Sequence, residues 1–264
     1  MHRPPSPPQA AASGGASTHI ALPPGRIDLW CVPLAGFGAD EQAACLALLS
    51  ETEQARHRRF AVEPARLQYL ATRGLVRTTL SRYAPRPPRD WRFDTNPFGR
   101  PLIEAGQCDG RLFFSLSHTG GLAVCAVAAT PEIGVDVERW DRAADPLALA
   151  PSVLAPEETT RLIEARPEER ARLFLTAWTL KEAYVKARGM GLALPLHGLR
   201  FDIDAGDPKV HFAAGIADDP GRWTFRMLAP TAEHALALAV AAAPDRGLDI
   251  RMKATRAINR PDDA

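Results

Sequence analysis

Two apolar runs rhyme across the chain, "GLAVCAVAA" at 121–129 and "HALALAVAA" at 234–242. Each closes a similar succession: helical patterns first, then short strands, then this Ala/Val/Leu strand. A duplicated succession constrains the fold more than any single element does. It predicts the α+β class, with two similar subdomains at 27–132 and 133–245.

In the first half, "RIDLWCVPL" reads as a strand and "DEQAACLALLSETEQARHRRF" as a helix with Ala44, Leu48 and Leu49 on one side. "PARLQYLATRGLVRTTLSRY" is a second helix, striped by Leu67, Leu70, Leu75, Val76 and Leu80 and ended by "APRPPRD". "WRFD" and "LIEA" are short strands around the turn "TNPFGRP". "RLFFSLSHTGGLAVCAVAA" is a hairpin bent at Thr119, Gly120 and Gly121. In the second half, "PEETTRLIEARPEERARLFLTAWTLKEAYVKARG" gives helices broken at Pro167, with Leu173, Ala177, Leu180 and Tyr184 on one stripe. "LRFDI", "KVHFAA", "WTFRML" and "HALALAVAA" are strands.

With 264 residues, 46% of them apolar, the chain can bury a substantial core. Lys plus Arg is 32 against Asp plus Glu 31, so net charge does not announce a nucleic-acid binder. No apolar run approaches a membrane span. Residues 1–26 are rich in Pro, Ala, Gly and Ser, lack the apolar core of a secretory signal, and are expected to form a disordered tail. Residues 246–264 read as a loose polar tail. Four cysteines, without C-x-x-C or zinc spacing, suit free thiols in a reducing cytoplasm.

"GVDVERW", 134–140, sets Asp136 and Glu138 on one face of a strand and Val135 and Val137 on the other. Two carboxylates about 6.6 Å apart can reach one hard cation such as Mg²⁺, which takes its remaining ligands from water and substrate phosphates. A solvated acidic face would show the same pattern. Gly134 suits a close backbone approach. Further on, "WTLKEAYVKARGMG" places Glu182 and Lys186 four residues apart on a helix, with Trp178 one turn earlier and Lys181 beside them. As an exposed pair they would contribute about 0.2–0.5 kcal/mol. Joined to the strand acids, Glu182 completes a trio and Lys186 supplies the charge that a phosphate group needs. Gly189 and Gly191 read as the helix cap and turn.

The first half offers hydrogen-bond donors and cations. "SLSHTGG" puts Ser115, Ser117 and His118 beside a glycine turn that would suit an anion or simply be a polar bend. "NPFGRP" holds Arg100 on a rigid turn, and "QARHRRF" supplies Arg56, Arg58 and Arg59.

"GVDVE" followed by "WTLKEAYVKARGMGL" is similar to the paired signature of the 4'-phosphopantetheinyl transferases, and "FSLSH" and "NPFGRP" resemble upstream motifs of that family. The resemblance covers about residues 27–245 and is to the larger, single-chain, surfactin-synthetase-activator type. It implies a pseudo-dimer of two similar α/β subdomains with the active site in the cleft between them. It also implies transfer of phosphopantetheine from coenzyme A to a serine of an acyl or peptidyl carrier protein, with release of 3',5'-ADP. By the same resemblance Asp136, Glu138 and Glu182 are Mg²⁺ ligands, and Glu182 and Lys186 are catalytic. Arg56, Arg100, Ser117, His118, Lys181 and Lys186 contact coenzyme A, His118 near its 3'-phosphate and Lys181 at the diphosphate. Arg100 stands where the family often has lysine. A cytoplasmic monomer serving secondary-metabolite carriers is the expected setting. Another Mg²⁺-dependent diphosphate-cleaving enzyme, or a non-catalytic coenzyme A or carrier-binding module, are the other readings of the same residues.

Overall fold

The computed structural model describes residues 19–143, 145–204, 206–243 and 247–258. Its first half runs β1 (Arg26–Pro33), α1 (Ala39–Leu48), α2 (Glu51–Arg58), α3 (Glu63–Leu80), β2 (Phe93–Thr95), β3 (Pro101–Ile103), β4 (Phe113–Thr119) and β5 (Leu122–Ala128). The second runs β6 (Ile133–Arg139), α4 (Pro146–Val153), α5 (Pro156–Glu164), α6 (Pro167–Arg188), β7 (Leu199–Asp202), β8 (Lys209–Phe212), β9 (Trp223–Thr231) and β10 (His234–Ala241). A last strand, β11 (Asp249–Ala254), follows.

Two sheets form the centre, in the orders β11-β1-β5-β4 and β6-β10-β9. The rhyming runs explain how they stack. Along β5, Leu122, Val124 and Ala126 face the other sheet, while Ala123, Cys125 and Val127 face α3. Along β10, Leu236, Leu238 and Val240 face the first sheet, while Ala237 and Ala239 face α6. Strands covered on both faces need apolar residues at every position. The result is four layers, with α3 and α6 outside and the two sheets between them. This is the expected pairing of two similar α+β halves.

Several elements depart from expectation. The first helix is two: Ser50 accepts from the Glu53 amide, and the Glu53 carboxylate accepts from the Ser50 amide, a reciprocal cap that starts α2 afresh. Cys45 and Leu49 therefore point inward and Ala44 outward. In α6, burial extends around most of the helix, because β6 and β10 cover one side and α4 and α5 another. Helix α4, capped by Asp145 and containing Pro151, was not foreseen. The C-terminal segment is not loose: β11 pairs in parallel with β1, Arg26 opposite Asp249 and Cys31 opposite Ala254. Of the expected N-terminal tail, residues 1–18 lie outside the described residues. Ile20 and Leu22 pack on the first core, and the Ile20 amide donates to the Arg82 carbonyl at 2.7 Å. All four cysteines are free. Among the described residues no helix is long and apolar enough to cross a membrane.

One contact positions the site. Gly134 on β6 lies against α6 so closely that a Cβ there would stand 1.9 Å from the Ala183 carbonyl oxygen and 2.5 Å from the Ala187 amide nitrogen. Both obstacles are main chain of the last turns of α6, so neither can rotate away as a side chain would. Gly134→Ala is expected to push β6 off α6 and cost about 1–3 kcal/mol. In a protein of this size that lowers the melting temperature by roughly 2–4 °C per kcal/mol. An unchanged melting temperature would show that the two elements do not depend on this approach.

Candidate active site

Because β6 alternates, Gly134, Asp136 and Glu138 share the face toward α6, and Val135 and Val137 enter the core between the sheets. The acids are buried rather than solvated. Strand β4 runs beside β6, and hydroxyls stitch the two together. Ser115 Oγ accepts from the Val135 amide at 3.1 Å, and Ser117 Oγ from the Val137 amide at 3.2 Å. Ser117 also donates to Asp136 Oδ1 at 2.8 Å, and Thr119 donates to Glu138 Oε2 at 3.1 Å. The expected anion collar thus has its hydroxyls turned to the acid strand. Thr119, part of the same period-two row as Ser115 and Ser117, was missed as a member of the site.

Helix α6 brings the remaining groups. Lys186 Nζ donates to Asp136 Oδ1 at 2.6 Å and to Ser117 Oγ at 2.9 Å. Trp178 Nε1 donates to Glu138 Oε1 at 3.1 Å, so the tryptophan one turn before Glu182 orients an acid on the strand. Arg142, just beyond β6, also ion-pairs with Glu138 Oε1. The Glu182 carboxylate takes no hydrogen bond among the described residues. Burial first, then the neighbouring Asp136 charge, raises its pKa above the ordinary glutamate value, against the pull of Lys186. His118 is exposed at the end of β4. The protein around it, and then the Lys186 charge, hold its imidazole below the usual histidine pKa.

The turn "NPFGRP" grips the end of α6. Gly189 caps the helix in the left-handed region, φ 63°, and Asn96 Nδ2 donates to its carbonyl at 2.6 Å. Arg100 donates from Nη1 to the Ala187 carbonyl at 2.7 Å, and from Nη2 to the Pro131 and Ile133 carbonyls at 2.8 and 3.0 Å. Its guanidinium fastens the first half to α6 and to the start of β6. Behind it lies a cleft of about 280 Å³, lined in part by Phe98, Phe114, Ser115, Glu182 and Lys186.

Six expected residues therefore meet: Ser117, His118, Asp136, Glu138, Glu182 and Lys186. Three are placed differently. Arg100 reaches the cleft but is held by carbonyls. Arg56 is exposed on α2, stacked over the Tyr69 ring at 5.6 Å, with no contact to the acids. Lys181 is 0% exposed and turned away from the cleft, donating to the Val153 carbonyl at 2.7 Å and pairing with Glu158. Adjacent helix residues point about 100° apart, so Lys181 cannot share the side of Glu182. Glu158 also accepts from the Ala155 and Phe201 amides, making this pair a brace between α5, α6 and β7.

Among the described residues no three His, Cys, Asp or Glu side chains converge closely enough to enclose a metal ion as they stand. The donor chemistry nevertheless fits a hard cation. Among the described residues Asp136 Oδ2 is buried without a hydrogen-bond partner, and the half-buried Glu182 carboxylate takes no donor either. Carboxylate oxygens of this kind are what Mg²⁺ takes.

The two lysines of α6 separate by stability. Lys181→Ala leaves Glu158 half-buried without its cation and is expected to cost about 3–5 kcal/mol. Lys186 is 29% exposed beside the open cleft, so in Lys186→Ala water can reach Asp136 in place of the ammonium, and the expected cost is smaller. Thermal unfolding of both variants checks this, and equal losses would contradict the placement of Lys181.

The stretches of chain that carry these residues match known proteins. The model of the 4'-phosphopantetheinyl transferase superfamily matches residues 132–239, and that of the 4'-phosphopantetheinyl transferase N-terminal region matches 38–131. The chain is 34% identical over 175 residues to "4'-phosphopantetheinyl transferase HetI" of Nostoc sp., covering 66% of this chain and 73% of that protein. It is 28% identical over 244 residues to a "Phosphopantetheinyl transferase" of Thraustochytrium sp., covering 88% and 84%. To "4'-phosphopantetheinyl transferase Sfp" of Bacillus subtilis it is 29% identical over 157 residues, covering 60% and 67%. With both halves matched and the acids, lysine and hydroxyls assembled at their junction, this chain belongs to the 4'-phosphopantetheinyl transferase superfamily.

Proposed function

We propose that the chain transfers 4'-phosphopantetheine from coenzyme A to a serine of an acyl or peptidyl carrier protein, releasing 3',5'-ADP with the help of Mg²⁺. The observation that carries this reading is the junction of Asp136, Glu182 and Lys186, where a buried carboxylate oxygen and an unpaired glutamate face a lysine beside a cleft. A diphosphate-cleaving enzyme would use the same acids; membership of this family favours transfer to a carrier.

Asp136, Glu138 and Glu182 would hold the ion, which supplies charge neutralisation to the diphosphate when bound. The serine hydroxyl oxygen attacks the phosphorus on the pantetheine side. The bond from that phosphorus to the oxygen shared with the adenylate side breaks, and 3',5'-ADP departs with that oxygen. The serine proton passes to a base, for which the Glu182 carboxylate beside the cleft is the chain's own candidate. Lys186 Nζ stabilises the charge that develops on the departing oxygen. Ser117 and Thr119 hold the acid strand in place, and His118 lies open to the substrate's 3'-phosphate. The chain's own part is to fix these groups before the substrate arrives.

The direct test is incubation with coenzyme A, Mg²⁺ and a panel of apo-carriers, followed by intact mass. Addition of phosphopantetheine to a carrier is expected, and cleavage of coenzyme A without a carrier product would overturn the reading. Asp136→Asn keeps the shape of the side chain and removes one ligand charge. It is expected to abolish most transfer while the melting temperature stays close to wild type.

The 3'-phosphate contact has its own measurement. A hydrogen bond to a charged group contributes about 1.5–3 kcal/mol. His118→Ala is therefore expected to weaken coenzyme A binding about ten- to a hundredfold. Dephospho-coenzyme A, which lacks that phosphate, should lose far less. Equal losses for the two ligands would mean that His118 does not read the phosphate.

A further inference from the structure

The acids on β6 are already partnered by cations. Lys186 pairs with Asp136, and Arg142 pairs through Nη1 with Glu138 Oε1. Glu138 takes two further donors, Thr119 Oγ1 at 3.1 Å and Trp178 Nε1 at 3.1 Å. These two are neutral and can stay while the carboxylate binds a divalent ion. Arg142 cannot, because a guanidinium and a divalent cation repel each other and compete for the same oxygen. Arg142 is also the most weakly anchored of the three. Its side chain is 58% exposed and makes no other hydrogen bond among the described residues. Glu138 is buried, and a buried carboxylate without a counter-charge is strongly unfavourable.

We propose that Arg142 is a resident counter-ion, which holds Glu138 in the metal-free protein and is displaced when a divalent cation binds the acids. The arginine and the lysine occupy carboxylate oxygens that a metal would use. The exchange keeps the buried acids neutralised in both states and makes Arg142 a brake on metal binding. Arg139, three residues earlier, carries the same charge but pairs with Asp141 and Glu233 instead. It separates direct exchange from a general effect of charge. The proposal rests on the metal reading above.

The test is titration of metal-free, full-length protein with Mn²⁺, in the absence of coenzyme A, with unbound Mn²⁺ read by electron paramagnetic resonance. Arg142→Gln is expected to bind Mn²⁺ about fivefold more tightly than wild type, which is about 1 kcal/mol. Arg139→Gln should stay within about twofold, since an exposed charge already paired with other acids acts weakly. In a Glu138→Gln background the gain from Arg142→Gln should vanish. Equal or weaker binding by Arg142→Gln overturns the proposal, as does an equal gain from Arg139→Gln or one that survives in Glu138→Gln. If wild type binds Mn²⁺ and Arg142→Gln does not tighten it, the counter-ion alone fails. If neither wild type nor any variant binds Mn²⁺, the metal reading fails and this proposal with it.

Discussion

A missing side chain sets the geometry on which the site depends. At Gly134, β6 approaches α6 to within contact of its main chain, with 1.9 Å between the place of a Cβ and the Ala183 oxygen. No other residue type permits that approach without moving one element. Two residues along the strand, Asp136 then falls within 2.6 Å of Lys186, one turn beyond Glu182. Period two on the strand and period four on the helix run side by side from this point. The chemistry of the cleft is a consequence of a packing distance.

The second constraint is that the two sheets do not join by a main-chain ladder at β4 and β6. Serine hydroxyls accept the β6 amides that a neighbouring strand's carbonyls would otherwise satisfy. Buried amides need such partners. This substitution frees the edge of the second sheet to carry acids, because the Ser117 hydroxyl that accepts the Val137 amide also donates to Asp136. Arg100 and Asn96 complete the junction from the other side of α6. The halves are thus held together by the groups that also fix the site, so a loss of either is a loss of both.

Much of this was legible in the sequence where one rule sufficed. Alternation placed Asp136 and Glu138, four-residue spacing placed Glu182 and Lys186, and Gly189 ended its helix as a cap. What failed needed knowledge of three-dimensional neighbours. Lys181 was drawn toward the phosphates by its charge, yet Glu158, twenty-three residues earlier, claims it. The hydroxyl row on β4 looked like an anion site because its real partners are on another strand. Strand β11 was overlooked although Asp249 to Ala254 alternate polar and apolar residues; what the sequence does not show is that its partner is the free edge of β1. The break between α1 and α2 was legible all along in Ser50 and Glu53.

The two halves also differ at the positions where the second half carries its acids. Aligned by the residues that face between the sheets, Leu122 with Leu236, Ala123 corresponds to Ala237 and Cys125 to Ala239. Ala237 lies opposite Asp136 and Ala239 opposite Gly134. In the first half the same positions lie opposite Val32 and Trp30. Both face α3 in an apolar core. Trp30 fills the space that Gly134 leaves open, so β1 cannot approach its helix, and Val32 offers no ligand. On its other side β1 pairs with β11 rather than with a hydroxyl-bearing strand. The first half has become the platform that supplies β4 and the gripping turn, and the second has kept the acids. Each half is incomplete alone, and the acids and Lys186 sit where the two differences meet.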